Sequence, residues 1–269
     1  MSRRLKLLSG LSTVAITGAL ALSACGREGA APPAAQIGDT AQEAAPALTS
    51  GGESEGAALV DAATDKAAYL SALQLVRGHL RSGVELYAAG DREMGAQHMR
   101  HPQAEILTTL APAFAAYGAS SIEPAIDQLA TAGENGAPPA EINNLDEAAL
   151  ASIARAGGAA DASLQDRLLA VARTLTVAAD EYSVAIKDGE VVNLHEYHDA
   201  YGFMATAISD LEMLKGESDA DKAAIAAVLE QAKIASAAAP SIVPPADGFK
   251  PASLIYGAAA RVEITARGL

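Results

Sequence analysis

Downstream of Leu59 apolar residues return every three to four positions, and no run of β-branched residues alternates for more than a few. A chain patterned this way can bury a continuous face only by coiling into amphipathic helices. Ala, Leu and Glu are frequent in the same region and favour helix on intrinsic propensity. The expected fold is therefore all-α, an antiparallel helical bundle built from long helical hairpins.

The punctuation divides this region further. Tyr69, Leu73, Val76, Leu80, Val84 and Tyr87 mark a first long helix, and Ala89-Gly90-Asp91 supplies a C-terminal glycine followed by an N-cap. A second helix is expected from Arg92 to about Tyr117, interrupted by Pro102 near His101. Shorter helices follow near 122–130 and 146–156, across a Gly/Pro-rich loop at 133–139. Asp161 is expected to cap a long helix to about Lys187, and Asp188-Gly189 breaks it before a helix starting near Asn193. Segments 218–235 and 250–267 complete the set, joined through Pro240 to Pro245.

The N-terminus has a different chemistry. Arg3, Arg4 and Lys6 precede an uncharged stretch from Leu7 to Leu22, too short and too interrupted by Ser and Gly for a permanent span. It ends in Leu22-Ser23-Ala24-Cys25, which resembles the lipobox of bacterial lipoproteins and implies cleavage before Cys25 and lipidation of its thiol. An acyl chain contributes roughly 0.8 kcal/mol of membrane affinity per buried CH₂. Residues 26–56 are Ala, Gly, Pro, Ser and Glu with almost no bulky apolar side chain, too little to bury a core. The expected layout is a signal peptide at 1–24, a lipid anchor and disordered tether at 25–58, and a helical domain at 59–269. The tether would reach roughly 100 Å when stretched. The expected location is periplasm-facing, lipid-anchored to the outer or inner membrane.

Charge and composition exclude several functions. Removing the three basic leader residues leaves 33 acidic against 16 basic residues, a surface that repels nucleic acid. The single cysteine is committed to the lipid, which removes thiol catalysis and any internal disulfide. His195-Glu196-Tyr197-His198 places its second histidine one residue too early for a zinc-peptidase helix. Gly52-Glu53-Ser54-Glu55-Gly56 spells a nucleophile elbow, but within the tether, without the strand that would present the serine. There is no phosphate-binding Walker loop and no Glu-x-x-His pair of the di-iron carboxylate kind. The chain is expected not to be an enzyme.

The five histidines fall in two groups, His79, His98 and His101 on the first hairpin and His195 and His198 on the second. Each close pair is His-x-x-His, and a spacing of three puts two imidazoles on one helix face, where both can address one cation. With the first turn centred on Gly90, His79 and His101 lie at the same height on facing helices. Gly202 and Ala205, on the face of His195 and His198, leave room for a close neighbour. These histidines are the candidate metal ligands, with Glu85, Glu105, Glu196 and Asp199 expected to orient them or complete the charge. Met94, Met99 and Met204 are second-rank soft donors, more easily explained as core.

The lipoprotein start, Gly78-His79, the turn Ala88-Ala89-Gly90-Asp91 and the helix carrying Tyr197 to Gly202 together resemble the imelysin-like group of exported helical proteins associated with iron or copper acquisition. That group's Gly-x-His-x-x-Glu signature is not matched, since Gly78 directly precedes His79 and the next Glu is Glu85. The resemblance implies a metal-uptake partner protein. The resulting expectation is a membrane-tethered carrier, buffer or uptake accessory that gathers histidines around one ion of copper, iron or zinc. The alternative is a helical scaffold or partner-binding lipoprotein without metal.

Overall fold

The computed structural model describes residues 61–269. The segments expected to be a signal peptide, a lipidated Cys25 and a tether, with the expected boundary at 58, lie outside the described residues.

The helices are α1 (Lys66–Ala89), α2 (Arg92–Pro102), α3 (Thr108–Tyr117), α4 (Glu123–Glu134), α5 (Pro139–Ala159), α6 (Leu164–Ala185), α7 (Leu194–Met213), α8 (Asp219–Ser236) and α9 (Ser253–Arg267). A π-helical turn, Gln103–Leu107, joins α2 to α3. The all-α expectation holds. Among the described residues no helix is long and apolar enough to cross a membrane.

Local chemistry explains the boundaries. Gly90 ends α1 in the left-handed conformation, φ 104°, and the Asp91 side chain caps α2 by accepting from Met94 N at 3.2 Å. Pro102 has no amide hydrogen to give, and the wider π turn that follows absorbs the interruption immediately after His101. Three expectations need correction. The cap of α6 is Ser163 in a reciprocal box with Asp166, whereas Asp161 is a turn residue at φ 45°. The helix starting at Pro139 is longer than the 146–156 segment, because proline at the first helical position costs no hydrogen bond. And α6 stops at Ala185, followed by a two-residue antiparallel ribbon, Ile186–Lys187 with Glu190–Val191. Asp188 and Gly189, at φ 53° and 80°, turn that ribbon as Asp-Gly pairs do.

The last four helices close a ring in which α6 packs on α7, α7 on α8, α8 on α9 and α9 back on α6. Helix α1 lies against α6 and α7, α2 folds back on α1, and α4 and α5 cover the flanks. Their shared core includes Tyr69, Leu75, Leu80, Met99, Leu168, Leu175, Tyr197, Phe203 and Val262. Met99 and Met204 are fully buried in it, which accounts for them as core rather than donors.

Two glycine crossings set how closely α1 meets its neighbours. A Cβ on Gly202 of α7 would collide with the Gly78 carbonyl oxygen and Ser82 Oγ of α1. On the other side, a Cβ on Gly95 of α2 would lie 2.7 Å from Gly83 O and 2.8 Å from Tyr87 N. With no side chain between them, the backbones of α2, α1 and α7 approach closely along one level of the bundle. Ser82 Oγ donates to His198 O at 2.7 Å across the α1–α7 crossing.

Candidate metal centre

All five histidines meet at that level. Helix α1 contributes His79, α2 contributes His98 and His101, and α7 contributes His195, His198 and Asp199. The expected alignment of His79 with His101 is present, with ring centroids 5.7 Å apart.

Asp199, expected to orient the histidines or complete the charge, occupies the centre. Its Oδ1 lies 2.8 Å from His79 Nδ1 and 2.9 Å from His98 Nδ1, while Oδ2 faces His195 Nε2 at 3.6 Å. His195 Nε2 is also 3.0 Å from His101 Nδ1. On the far side of the His98 ring, Nε2 lies 3.2 Å from His198 Nδ1. His79, His98 and Asp199 thus form one set of converging donor atoms and His101, His195 and Asp199 a second. His198 belongs to neither set; it braces His98 from behind.

The spacings suit a metal ion. Donors held about 2.0–2.1 Å from one centre stand roughly 2.9–3.4 Å apart in octahedral or tetrahedral geometry. His79 and His98 to Asp199, at 2.8 and 2.9 Å, and His101 to His195, at 3.0 Å, fall in or near that interval, and His195 to Asp199, at 3.6 Å, lies slightly beyond it. An unmetallated pair could satisfy the same distances with one shared proton each, so the electrostatics matter.

Burial removes water from the cluster. His79 and His98 are fully buried, whereas the side chains of His101 and His195 keep 13% and 12% of their exposure. Loss of solvent lowers the pKa of His101 to about 4, helped by the neighbouring His79 and His98 and opposed by Asp199. His198 is lowered to about 4 chiefly by burial, and His195 is strongly lowered for the same reason. Burial pushes Asp199 upward, but attraction to and hydrogen bonds from His79 and His98 outweigh it and hold the carboxyl well below its usual range. At neutral pH the cluster is therefore a buried carboxylate ringed by several neutral imidazoles, the protonation state a transition metal requires.

The other acidic residues divide. Glu105 Oε2 lies 3.7 Å from His101 Nδ1, at the rim of the second, less buried set. Glu196 is buried and its Oε1 accepts from Asn193 Nδ2 at 3.4 Å, at the helix cap whose Oδ1 accepts from His195 N at 3.1 Å. Glu85, expected beside the histidines, instead accepts from Tyr201 OH at 2.8 Å and pairs with Arg81. Phe203, which sequence reasoning did not single out, stands edge-on to His79 with centroids 5.0 Å apart and closes the inner side. A cleft of about 430 Å³ reaches His101 between α2 and the end of α4, beside Arg100 and Glu134.

The depressed histidine pKa values carry a sign. From pH about 6.5 down to about 4 the unfolded chain takes up protons that His101 and His198 refuse in the folded state. Stability rises with pH wherever the unfolded state binds more protons, so it falls as the solution is acidified through this window, by up to ~1.4 kcal/mol per pH unit for each such group. Thermal melts of the metal-free chain at pH 7.5 and pH 5 are expected to show a clearly lower midpoint at pH 5. Equal midpoints would mean that these rings are not held neutral.

The described residues thus form an all-α bundle in which four of the five histidines share one buried carboxylate. Residues 158–267 match the family model described as the iron permease-associated 4-helix bundle domain. The matched segment contains the ring of α6 to α9, and with it His195, His198 and Asp199; His79, His98 and His101 come from outside it. No curated protein and no solved structure matches the chain.

Proposed function

We propose that this protein is an exported, lipid-anchored transition-metal-binding protein that holds an ion of iron, copper or zinc for a membrane iron permease. The observation that carries the reading is the convergence of four histidines on Asp199 from three helices, with the fifth, His198, behind His98. Scattered surface histidines would need no common partner, and a structural core would be cheaper without a buried charge. The similarity to a domain associated with iron permeases favours iron as cargo and a permease as partner. The imelysin-like resemblance and the lipobox-like Leu22 to Cys25 agree with a role at the cell envelope. Neutral imidazoles also accept Cu(II) and Zn(II), and affinity alone ranks copper above iron, so availability and the partner would select the cargo. The role is binding and handing on rather than turnover, and acidification would release the ion by protonating its donors.

The test is direct. Full-length protein in detergent, stripped of metal, is titrated with Fe(II) under anaerobic conditions and separately with Cu(II) and Zn(II). At a hundredfold excess over the dissociation constant a ligand adds about 2.7 kcal/mol to stability, a rise of several degrees in melting temperature. Retained metal and a raised melting temperature with at least one ion are expected. Unchanged melting and metal-free protein after all three titrations would leave the alternative, a scaffold whose histidines only hydrogen-bond one another.

A further inference from the structure

A single ion shared by all the histidines is what their sequence pattern alone suggests. The ring geometry does not permit this. An imidazole binds a metal along its ring nitrogen's lone pair, so the ion lies close to the ring plane, about 3 Å from the centroid given bonds near 2.0–2.1 Å. His98 and His195 are stacked, with centroids 3.8 Å apart and planes only 19° from parallel. Planes so disposed meet roughly 10 Å away, far beyond the reach of an Nδ or Nε bond. One ion cannot lie in both.

The carboxylate resolves the conflict. Asp199 Oδ1 serves the side of His79 and His98, and Oδ2 faces His195, which is paired with His101. Each stacked ring therefore addresses a different oxygen of the same group. We propose that the cluster is a dinuclear centre, with an inner ion held by His79, His98 and Asp199 Oδ1, and an outer ion held by His101, His195 and Asp199 Oδ2. Asp199 is the bridge. Two-metal sites elsewhere place their ions about 3.5–4 Å apart, the spacing that stacked ligands on neighbouring ions would impose. The two positions are unequal. The inner donors are fully buried and their ring His98 is braced by His198, whereas the outer donors retain some exposure, adjoin Glu105 and open to the cleft at His101. The outer ion should exchange first, and the inner one should remain.

This inference rests on the metal-binding reading above, and Cu(II) separates the two. The stripped full-length protein is loaded with Cu(II), freed of excess, and its copper counted against protein while the electron paramagnetic resonance spectrum is recorded. Two coppers per chain with a magnetic interaction, seen as a half-field transition or as lost spin intensity, is the expected result. In the H101Q/H195Q double variant one copper should remain, with an isolated-ion spectrum. One copper in the unaltered protein would overturn the pair and leave a mononuclear carrier. Two non-interacting coppers would overturn the bridge, as would two coppers retained by the double variant. No copper, iron or zinc at all would remove the metal reading itself.

Discussion

Asp199→Asn is expected to weaken metal binding by at least a hundredfold and to abolish occupancy of both positions at micromolar metal, while leaving a folded helical protein. Asparagine keeps the shape of the side chain but removes the charge to which both donor sets converge. Its carbonyl can still accept one hydrogen bond from the side of His79 and His98, while its amide turns a donor toward His195 where an acceptor stood. The metal-free variant should lose about 1–3 kcal/mol of stability, the cost of a poorly satisfied buried polar group. Calorimetric titration with Cu(II) and circular dichroism melts of both proteins make the measurement. Unaltered affinity would show that the carboxylate is not a ligand, and the bridged pair would fail while a carrier using histidines alone remained.

The second large effect lies in a residue with no chemistry of its own. Gly202→Ala puts a methyl group into the Gly78 carbonyl, which cannot withdraw without parting α1 from α7, and into Ser82 Oγ, which can rotate away only by giving up its bond to His198 O. Overpacking in a tight interior costs about 1–3 kcal/mol, and a backbone oxygen as the obstacle puts this case at or above the upper end. Because His79 approaches Asp199 across the same crossing, the inner donor set should open together with it. A lower melting temperature and loss of the inner ion are expected together. Gly158→Ala is the control: a Cβ there meets nothing within 4 Å, so this variant should melt no lower than the unaltered chain. If Gly202→Ala behaved like the control, the close crossing would not be what positions the site.

How much of this was legible beforehand varies with the range of the interaction. The turn at Gly90-Asp91, the interruption at Pro102 and the helix start at Asn193 are local, and residue types at short spacing report them. The cap of α6 was misassigned because Asp161 and Ser163 both have capping side chains, and only the backbone, left-handed at the first and extended at the second, distinguishes them. The ribbon after Ala185 was missed because strands of two residues carry no periodicity to read.

The candidate site divides in the same way. That His79 and His101 share a height follows from counting residues on either side of one turn, and the rings are indeed 5.7 Å apart. Glu85 and Asp199 both looked like supporting carboxylates, yet one faces Tyr201 and the other sits among the histidines. Asp199 lies four residues after His195, so its helix face was readable, but its centrality depends on how far α7 slides along α1.

Periodicity, helix stops and clustered imidazoles were written into the sequence, since each depends on residues within a few turns of one another. They determined an all-α bundle with two histidine groups. The meeting of those groups, and the sorting of their nitrogens onto separate oxygens of one carboxylate, were decided only by tertiary packing. Glycine-to-glycine contact between α1 and α7 joins residues more than a hundred positions apart, and no pattern along the chain records the rotation and register at which two helix faces lock.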